Sequence, residues 1–286
     1  MHAEELFREI RNELKKNYPE EEAKHLALLL LEDKYGIDIM AILKQSSLEG
    51  VDLQKVHQDI KELQQYTPVQ HITQKVQFCG LYFKTDARAL IPRPETEEIV
   101  QNIIETIKGT EKEGFYLLDV GTGSGCMAIT LAKNFPQALV YALDISEDAL
   151  VLAKENAAYH KVNNIEWIVG DILSNRQISA IPKLDFLMSN PPYITKSEKN
   201  LMHENVLSWE PHTALFVNDN EPLLFYKAII ALRKKLLKSN AKIFFEINER
   251  FGNELIRLLE LQQFKDVLLK KDFRGKNRFI KATYSP

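Results

Sequence analysis

Only two cysteines, Cys79 and Cys126, occur in the 286 residues. That excludes a disulfide framework and, without histidines at ligand spacing, a zinc site. Both read as small buried hydrophobes, and no metal is expected. Long apolar runs are missing too: the longest lies near Leu26 to Leu31, well short of the ~20 residues a membrane span needs. The first residues carry Glu4, Glu5 and Glu9 and lack the basic start, apolar stretch and cleavage site of an export signal. A cytoplasmic protein without membrane contact is expected. Nor is there a basic excess. The net charge is −3, whereas a chain gripping duplex nucleic acid through many phosphates carries a positive stripe, so no direct nucleic-acid partner is expected. The run Arg233, Lys234, Lys235 and Lys238 reads as the solvated face of a helix. What is present is an average globular composition, 45% hydrophobic and 27% charged with 11 Gly and 11 Pro. A chain near this size buries roughly 75% of its unfolded surface, so one large or two modest domains need no staples.

From Glu4 to about Tyr66 apolar residues recur at helical spacing: Leu6, Ile10 and Leu14, then Ala23, Leu26, Ala27, Leu30 and Leu31. Pro19 and three glutamates start the second helix and Gly36 stops it. Another helix runs from Leu53 to Gln65 and ends before Thr67-Pro68. The period then changes. Val76 to Phe78 and Leu81 to Phe83 flank Cys79-Gly80 as a short hairpin, which leads into Leu90-Ile91-Pro92-Arg93-Pro94-Glu95-Thr96-Glu97. Beyond it strands at 116–120, 138–143, 165–169, 185–188 and 243–247 alternate with helices after Ser124, from Glu147 and around Leu223 to Leu237. Strands at 267–270 and 278–282 close the chain. The alternation implies a mainly parallel sheet with helices on both faces.

The apolar strand Phe115 to Val120 breaks into Gly121-Thr122-Gly123-Ser124-Gly125. Glycines there let the backbone turn tightly and approach a ligand, and open sheets of this kind bind ligands at the carboxyl ends of their strands. A dinucleotide fingerprint needs glycine or alanine at 126, where this chain has Cys126, which leaves NAD a weak rival. Asp144 ends the next strand, 19 residues beyond Gly125, where a carboxylate accepts from both hydroxyls of a ribose. Asp171 follows the third strand, placed to accept from an adenine amino group while Ile172 packs on the ring. Asp119 has two readings, as a direct partner of the ligand's amino group or as a support for the loop.

The fourth strand runs straight into Asn190-Pro191-Pro192-Tyr193. Two prolines stiffen this loop and leave its carbonyls unpaired by neighbouring amides. The Asn190 side-chain oxygen and the Pro191 carbonyl can accept both hydrogens of a planar NH₂ group and aim its lone pair at an activated methyl, so that orientation does most of the catalysis. Tyr193 would cover the flat face of the acceptor. With the glycine turn, this loop points to S-adenosyl-L-methionine as cofactor.

At these motifs the chain resembles the N5-glutamine methyltransferases of bacterial peptide chain release factors, the family also known as HemK or PrmC. The resemblance covers nearly the whole chain: the helical start, the segment from Leu90 to Glu97, the glycine turn, Asn190 to Tyr193, Glu210-Pro211 with Ala214-Leu215, and the close at Lys271-Asp272-Phe273 and Gly275 to Arg278. It implies an α/β fold: a class I, Rossmann-like methyltransferase domain with a mainly parallel seven-stranded sheet over 94–286, a β-hairpin linker over 73–93, and a small all-helical substrate-recognition domain over 1–72. It implies methyl transfer to the glutamine of the Gly-Gly-Gln motif in class I release factors, by a monomer. Carried over, Gly121 to Gly125, Asp144, Ile172 and Asn190 contact the cofactor, and the glutamine lies against Asn190, Pro191, Pro192 and Tyr193. Arg93 is left open between shaping the mouth of the site and an ion pair with a nearby glutamate.

Two positions depart from the family pattern. Asn248-Glu249-Arg250-Phe251 stands where relatives often have glycine and then glutamine, and a left-handed turn at Asn248 is expected to replace it. Position 172 is often aromatic in relatives. A nucleic-acid base methyltransferase with the same loop, which must extract its base from the stack, and a cofactor-sensing module that transfers no methyl are the rival readings.

Overall fold

The computed structural model describes residues 1–110, 113–174 and 177–286. Along the chain run α1 (Ala3–Leu14), α2 (Glu20–Tyr35), α3 (Ile39–Leu43), α4 (Leu53–Gln64), α5 (Val69–Thr73), β1 (Lys75–Phe78), β2 (Leu81–Lys84), α6 (Pro94–Lys108), β3 (Tyr116–Val120), α7 (Cys126–Asn134), β4 (Leu139–Asp144) and α8 (Glu147–His160). Then follow β5 (Ile165–Val169), β6 (Leu184–Ser189), β7 (Ile194–Thr195), α9 (Glu204–Trp209), α10 (His212–Leu215), β8 (Phe216–Val217), α11 (Leu224–Ala231), α12 (Arg233–Leu236), β9 (Leu237–Glu246), α13 (Gly252–Leu261), β10 (Phe264–Lys271) and β11 (Asn277–Tyr284). The chain divides into two compact units, Met1–Lys75 with His203–Trp209, and Val76–Met202 with Glu210–Pro286.

The helical unit follows its apolar periodicity. Leu6, Ile10 and Leu14 of α1 and Ala23, Ala27, Leu30 and Leu31 of α2 are buried in one core. Pro19 caps α2, whose first turn carries Glu20, Glu21 and Glu22, and Gly36 ends it at φ 67°, a left-handed value that glycine adopts without steric cost. The Asp52 side chain caps α4 by accepting from Gln54 and Lys55. Inside the unit Asp59 is buried, and its two oxygens take the Lys34 ammonium at 2.7 Å and the Tyr35 hydroxyl at 2.6 Å.

In the larger unit seven strands form one sheet in the order β10-β11-β9-β6-β3-β4-β5. The pairs from β9 through β6, β3 and β4 to β5 are parallel, and β11 pairs antiparallel with β9 and β10. Side chains alternate faces along a strand. Leu117, Phe186 and Phe244 therefore join one buried layer, and Leu118, Leu187 and Phe245 join the other. The β1–β2 hairpin turns at Cys79 and Gly80, with φ of 49° and 74°, the positive pair that a two-residue turn of its type demands. The segment that begins with Pro94 is a helix: Pro94 takes its first turn, with Glu95 and Glu97 beside it.

Near residue 237 the structure corrects the expected helix. It ends at Leu236, and β9 starts with Leu237. Lys238 is therefore not on a solvated helical face. Its ammonium lies 2.7 Å from the buried carboxylate of Asp185 and 5.1 Å from the Tyr116 ring centroid. The β6–β9 pairing shifts register between Leu184 and Phe186, beside Asn240 at φ 63°, which lets the chain turn into the sheet early.

Candidate active site

The strand order reverses between β3 and β6, and at such a switch point the loops leaving the two strands part to form a crevice. A cavity of about 640 Å³ opens there, within the range of small-molecule sites. Asp119, Gly121, Thr122, Gly123 and Ser124 line it from the end of β3; Asp144 lines it from β4, Asp171 and Ile172 from beyond β5. Asn190, Pro191 and Pro192 line it from the end of β6. Two expected residues stand back from the wall, Gly125 and Tyr193.

Gly125 acts through packing. At φ 78° it is left-handed, and a side-chain carbon there would meet Ala153 and Ile129 at 3.0 Å, so only glycine lets α7 start this close to α8. Asp144 accepts from the Gly123 amide at 2.8 Å and the Ser146 amide at 2.9 Å. It ties the turn to the next strand and keeps further lone pairs for a ligand. Burial raises its pKa, and these amides oppose the rise. Asp171 accepts from the Leu173 amide at 2.8 Å.

Asp119 is buried, with Oδ2 accepting from the Thr122 hydroxyl at 2.7 Å and Oδ1 in no hydrogen bond of normal geometry, although the Ala128 amide also acts on the carboxylate. Burial first, opposed by Thr122 and reinforced by the Asp144 charge, pushes its carboxyl up to about 7. A buried acceptor left without a donor is costly. The group that would satisfy it is a cation bearing N–H, such as the amino group of a methionine moiety, and the residues present fit S-adenosylmethionine on this ground. Thr122 gives Asp119 its loop contact as well, so both readings of this residue find a partner atom.

At the acceptor end Asn190 Nδ2 lies 3.4 Å from the Thr96 hydroxyl, which donates to Glu246 Oε2 at 2.6 Å. Tyr193 turns its hydroxyl to Glu246 Oε1 at 2.9 Å and packs among the apolar residues of the second layer. Burial raises the Glu246 pKa, and Thr96, Tyr193 and the Arg278 charge oppose that rise. Asn248 corrects the expected left-handed turn. It is extended at φ −67°, and its side chain donates to the Tyr193 carbonyl and to Glu198 while accepting from the Arg250 amide. Its amide bridges two loops, a task that glycine cannot perform. Arg93 lines the cavity and pairs with the buried carboxylate of Glu210, which also accepts from the Ile91 amide. Thr96 and Glu246 had no role in the motif reading; the one signal was that Thr96 lies in the segment Leu90 to Glu97 that carries the family resemblance.

A parallel sheet with a glycine turn, strand-end carboxylates and an Asn-Pro-Pro loop at its switch point defines an S-adenosylmethionine-dependent, Rossmann-like methyltransferase. The family model "Methyltransferase small domain" matches residues 99–211. The release factor glutamine methyltransferase of Bacteroides thetaiotaomicron is 41% identical over 275 residues, 96% of this chain and 97% of that one. That of Flavobacterium psychrophilum is 43% identical over 238 residues, 83% and 82% of the two chains. Among solved structures the human methyltransferase 10 domain containing protein has a TM-score of 0.50 at 18% identity, covering 72% of this chain and 90% of that one, a likeness of fold alone. The chain belongs to the release factor glutamine methyltransferase family.

Proposed function

We propose that this protein transfers a methyl group from S-adenosyl-L-methionine to the side-chain amide nitrogen of the glutamine in the Gly-Gly-Gln motif of class I peptide chain release factors, and so modulates translation termination. The observation that carries this reading is the placing of the Asn190-Pro191-Pro192 loop and the glycine turn on one cavity wall, in a chain whose relatives of matching length bear that enzyme's name.

An amide nitrogen is a weak nucleophile because its lone pair is delocalised into the carbonyl. Asn190 Oδ1 and the Pro191 carbonyl, to which none of the described residues donates, are assigned to its two hydrogens. Held so, the nitrogen presents its face to the methyl, and near-attack positioning can supply ~7–11 kcal/mol. When bound, the cofactor supplies the activated methyl on its sulfonium. Gly121 to Ser124, Asp144, Asp171 and Ile172 are assigned to holding it, and Asp119 to its amino group. No general base is needed before transfer, since the proton leaves once the nitrogen is cationic. Tyr193 is assigned to the substrate loop as a support, through Glu246, instead of as a cover for the acceptor. The helical unit is assigned to gripping the factor, and the protein to work as a cytoplasmic monomer.

Mass spectrometry of a candidate release factor after reaction tests this reading. A one-methyl shift on the Gly-Gly-Gln peptide is expected. Label from the cofactor found in nucleic acid alone would overturn it.

A further inference from the structure

We infer that Thr96, anchored on the buried carboxylate of Glu246, is a positioning residue that decides which end of the Asn190 amide faces the cavity. This deepens the proposed function and rests on it. The oxygen and NH₂ ends of an asparagine side chain have almost the same shape, so packing cannot tell them apart and hydrogen bonding must. One order offers the substrate an acceptor. The other sets NH₂ against NH₂ and cannot hold the glutamine nitrogen.

The choice follows from proton counting. A carboxylate only accepts, and a threonine hydroxyl has one proton to give. Thr96 gives its proton to Glu246 Oε2 at 2.6 Å, which leaves its oxygen able only to accept from Asn190. The end of Asn190 facing Thr96 is therefore Nδ2, at 3.4 Å, and Oδ1 is left for the cavity. Glu246 is held in turn. The Tyr193 hydroxyl donates to its other oxygen at 2.9 Å, and the Tyr226 hydroxyl donates to its backbone carbonyl at 2.8 Å. At 2% exposure the carboxylate has little solvent to take these donors' place. The relay joins the first turn of α6, the end of β9 and the loop after β6, and it gives the Pro94-Glu95-Thr96-Glu97 segment a task in the reaction.

A double-mutant cycle on methyl transfer to release factor tests this. Thr96→Val keeps the shape and removes the hydroxyl; kcat should fall about tenfold, with cofactor Kd and the KM for release factor within about twofold. Thr96→Ser should restore most of the loss. In an Asn190→Ala background, where no amide is left to orient, Thr96→Val should change kcat by less than about twofold. Near-parental kcat in Thr96→Val, or an undiminished loss in the Asn190→Ala background, overturns the inference, the second because it marks a purely structural role. Thr96→Ala, which adds no bulk, is scored in the same way should the valine variant melt too early to assay. A parental protein that methylates another amide or amino acceptor overturns the substrate reading alone, because the same variants are then scored on that acceptor. A parent that methylates nothing overturns both.

Discussion

The two ends of the cavity are held by different means. At the cofactor end Asp171 and Asp144 rest on backbone amides, Asp171 on Leu173, Asp144 on Ser146 and again on Gly123 one strand away, while Asp119 takes the Thr122 hydroxyl three residues on. At the acceptor end Asn190, Thr96, Glu246 and Tyr193 hold one another by side chains, with partners 94, 150 and 53 residues apart. A backbone amide keeps its place when a neighbouring side chain changes. A side-chain relay fails at any of its members. The cofactor end is thus built for affinity that survives substitution around it, and the acceptor end for orientation that a single substitution can abolish.

The largest expected effect falls on the relay end. Asn190→Ala should lower kcat on the order of 10²-fold or more while cofactor binding stays within a few fold, because orientation is lost and affinity is not. Single-turnover kinetics with labelled cofactor separates the two, and near-normal turnover would erase the contrast between the ends. Asp144→Ala should act in the opposite sense, weakening cofactor binding by about 1.5–3 kcal/mol, the range for hydrogen bonds to a charged group. An unchanged dissociation constant by calorimetry removes Asp144 from the site.

Asp119 sharpens the comparison through pH. Its carboxyl is pushed up to about 7 by burial, above the ~3.9 of an unfolded aspartate. A carboxyl with a raised folded pKa stabilises the ligand-free fold fully below the unfolded value, and that contribution is lost as pH rises through about 7. The melting temperature of the ligand-free parent should therefore fall relative to Asp119→Asn across that window. Cofactor affinity should slope the other way, weakening severalfold as pH drops below about 7 and the carboxylate facing the amino group is neutralised. Thermal melts and binding titrations over pH 5–8 check both slopes, and parallel slopes in the parent and Asp119→Asn would exclude the assignment. The smallest effect belongs to Tyr193→Phe. With the ring kept and one donor to Glu246 removed, kcat should drop only a few fold and stability by about 1 kcal/mol. A loss as deep as that of Asn190→Ala would return Tyr193 to direct contact with the acceptor.

The motif residues at the ends of β3, β4 and β6 were legible because a parallel sheet collects its strand ends at one edge, so any glycine, carboxylate or Asn-Pro turn placed there must meet the same crevice. Eleven of the thirteen candidates, those at 119, 121–124, 144, 171–172 and 190–192, line the cavity and needed only strand positions to be found, and Asp119 kept two readings because burial, not spacing, sets its charge. Where the expectations erred, a distant partner had overridden local pattern. Lys238 left its helical face for the buried carboxylate of Asp185. Asn248 used its side chain on Tyr193 and Glu198 in place of a left-handed backbone. Arg93, left open in the sequence, meets both expectations: it lines the cavity and pairs with Glu210, 117 residues away.

Taken alone, the order of residues determined the alternation of strands and helices, the glycine turn, and the stiff Asn-Pro-Pro loop, since periodicity, glycine freedom and proline rigidity are local properties that each peptide carries with it. Which proton goes to which oxygen beneath Asn190 was decided only when folding brought Thr96 and Glu246 together inside a nearly dry interior. Hydrogen bonds between side chains that distant in sequence have no local signature, and burial makes them both directional and costly to leave unmade.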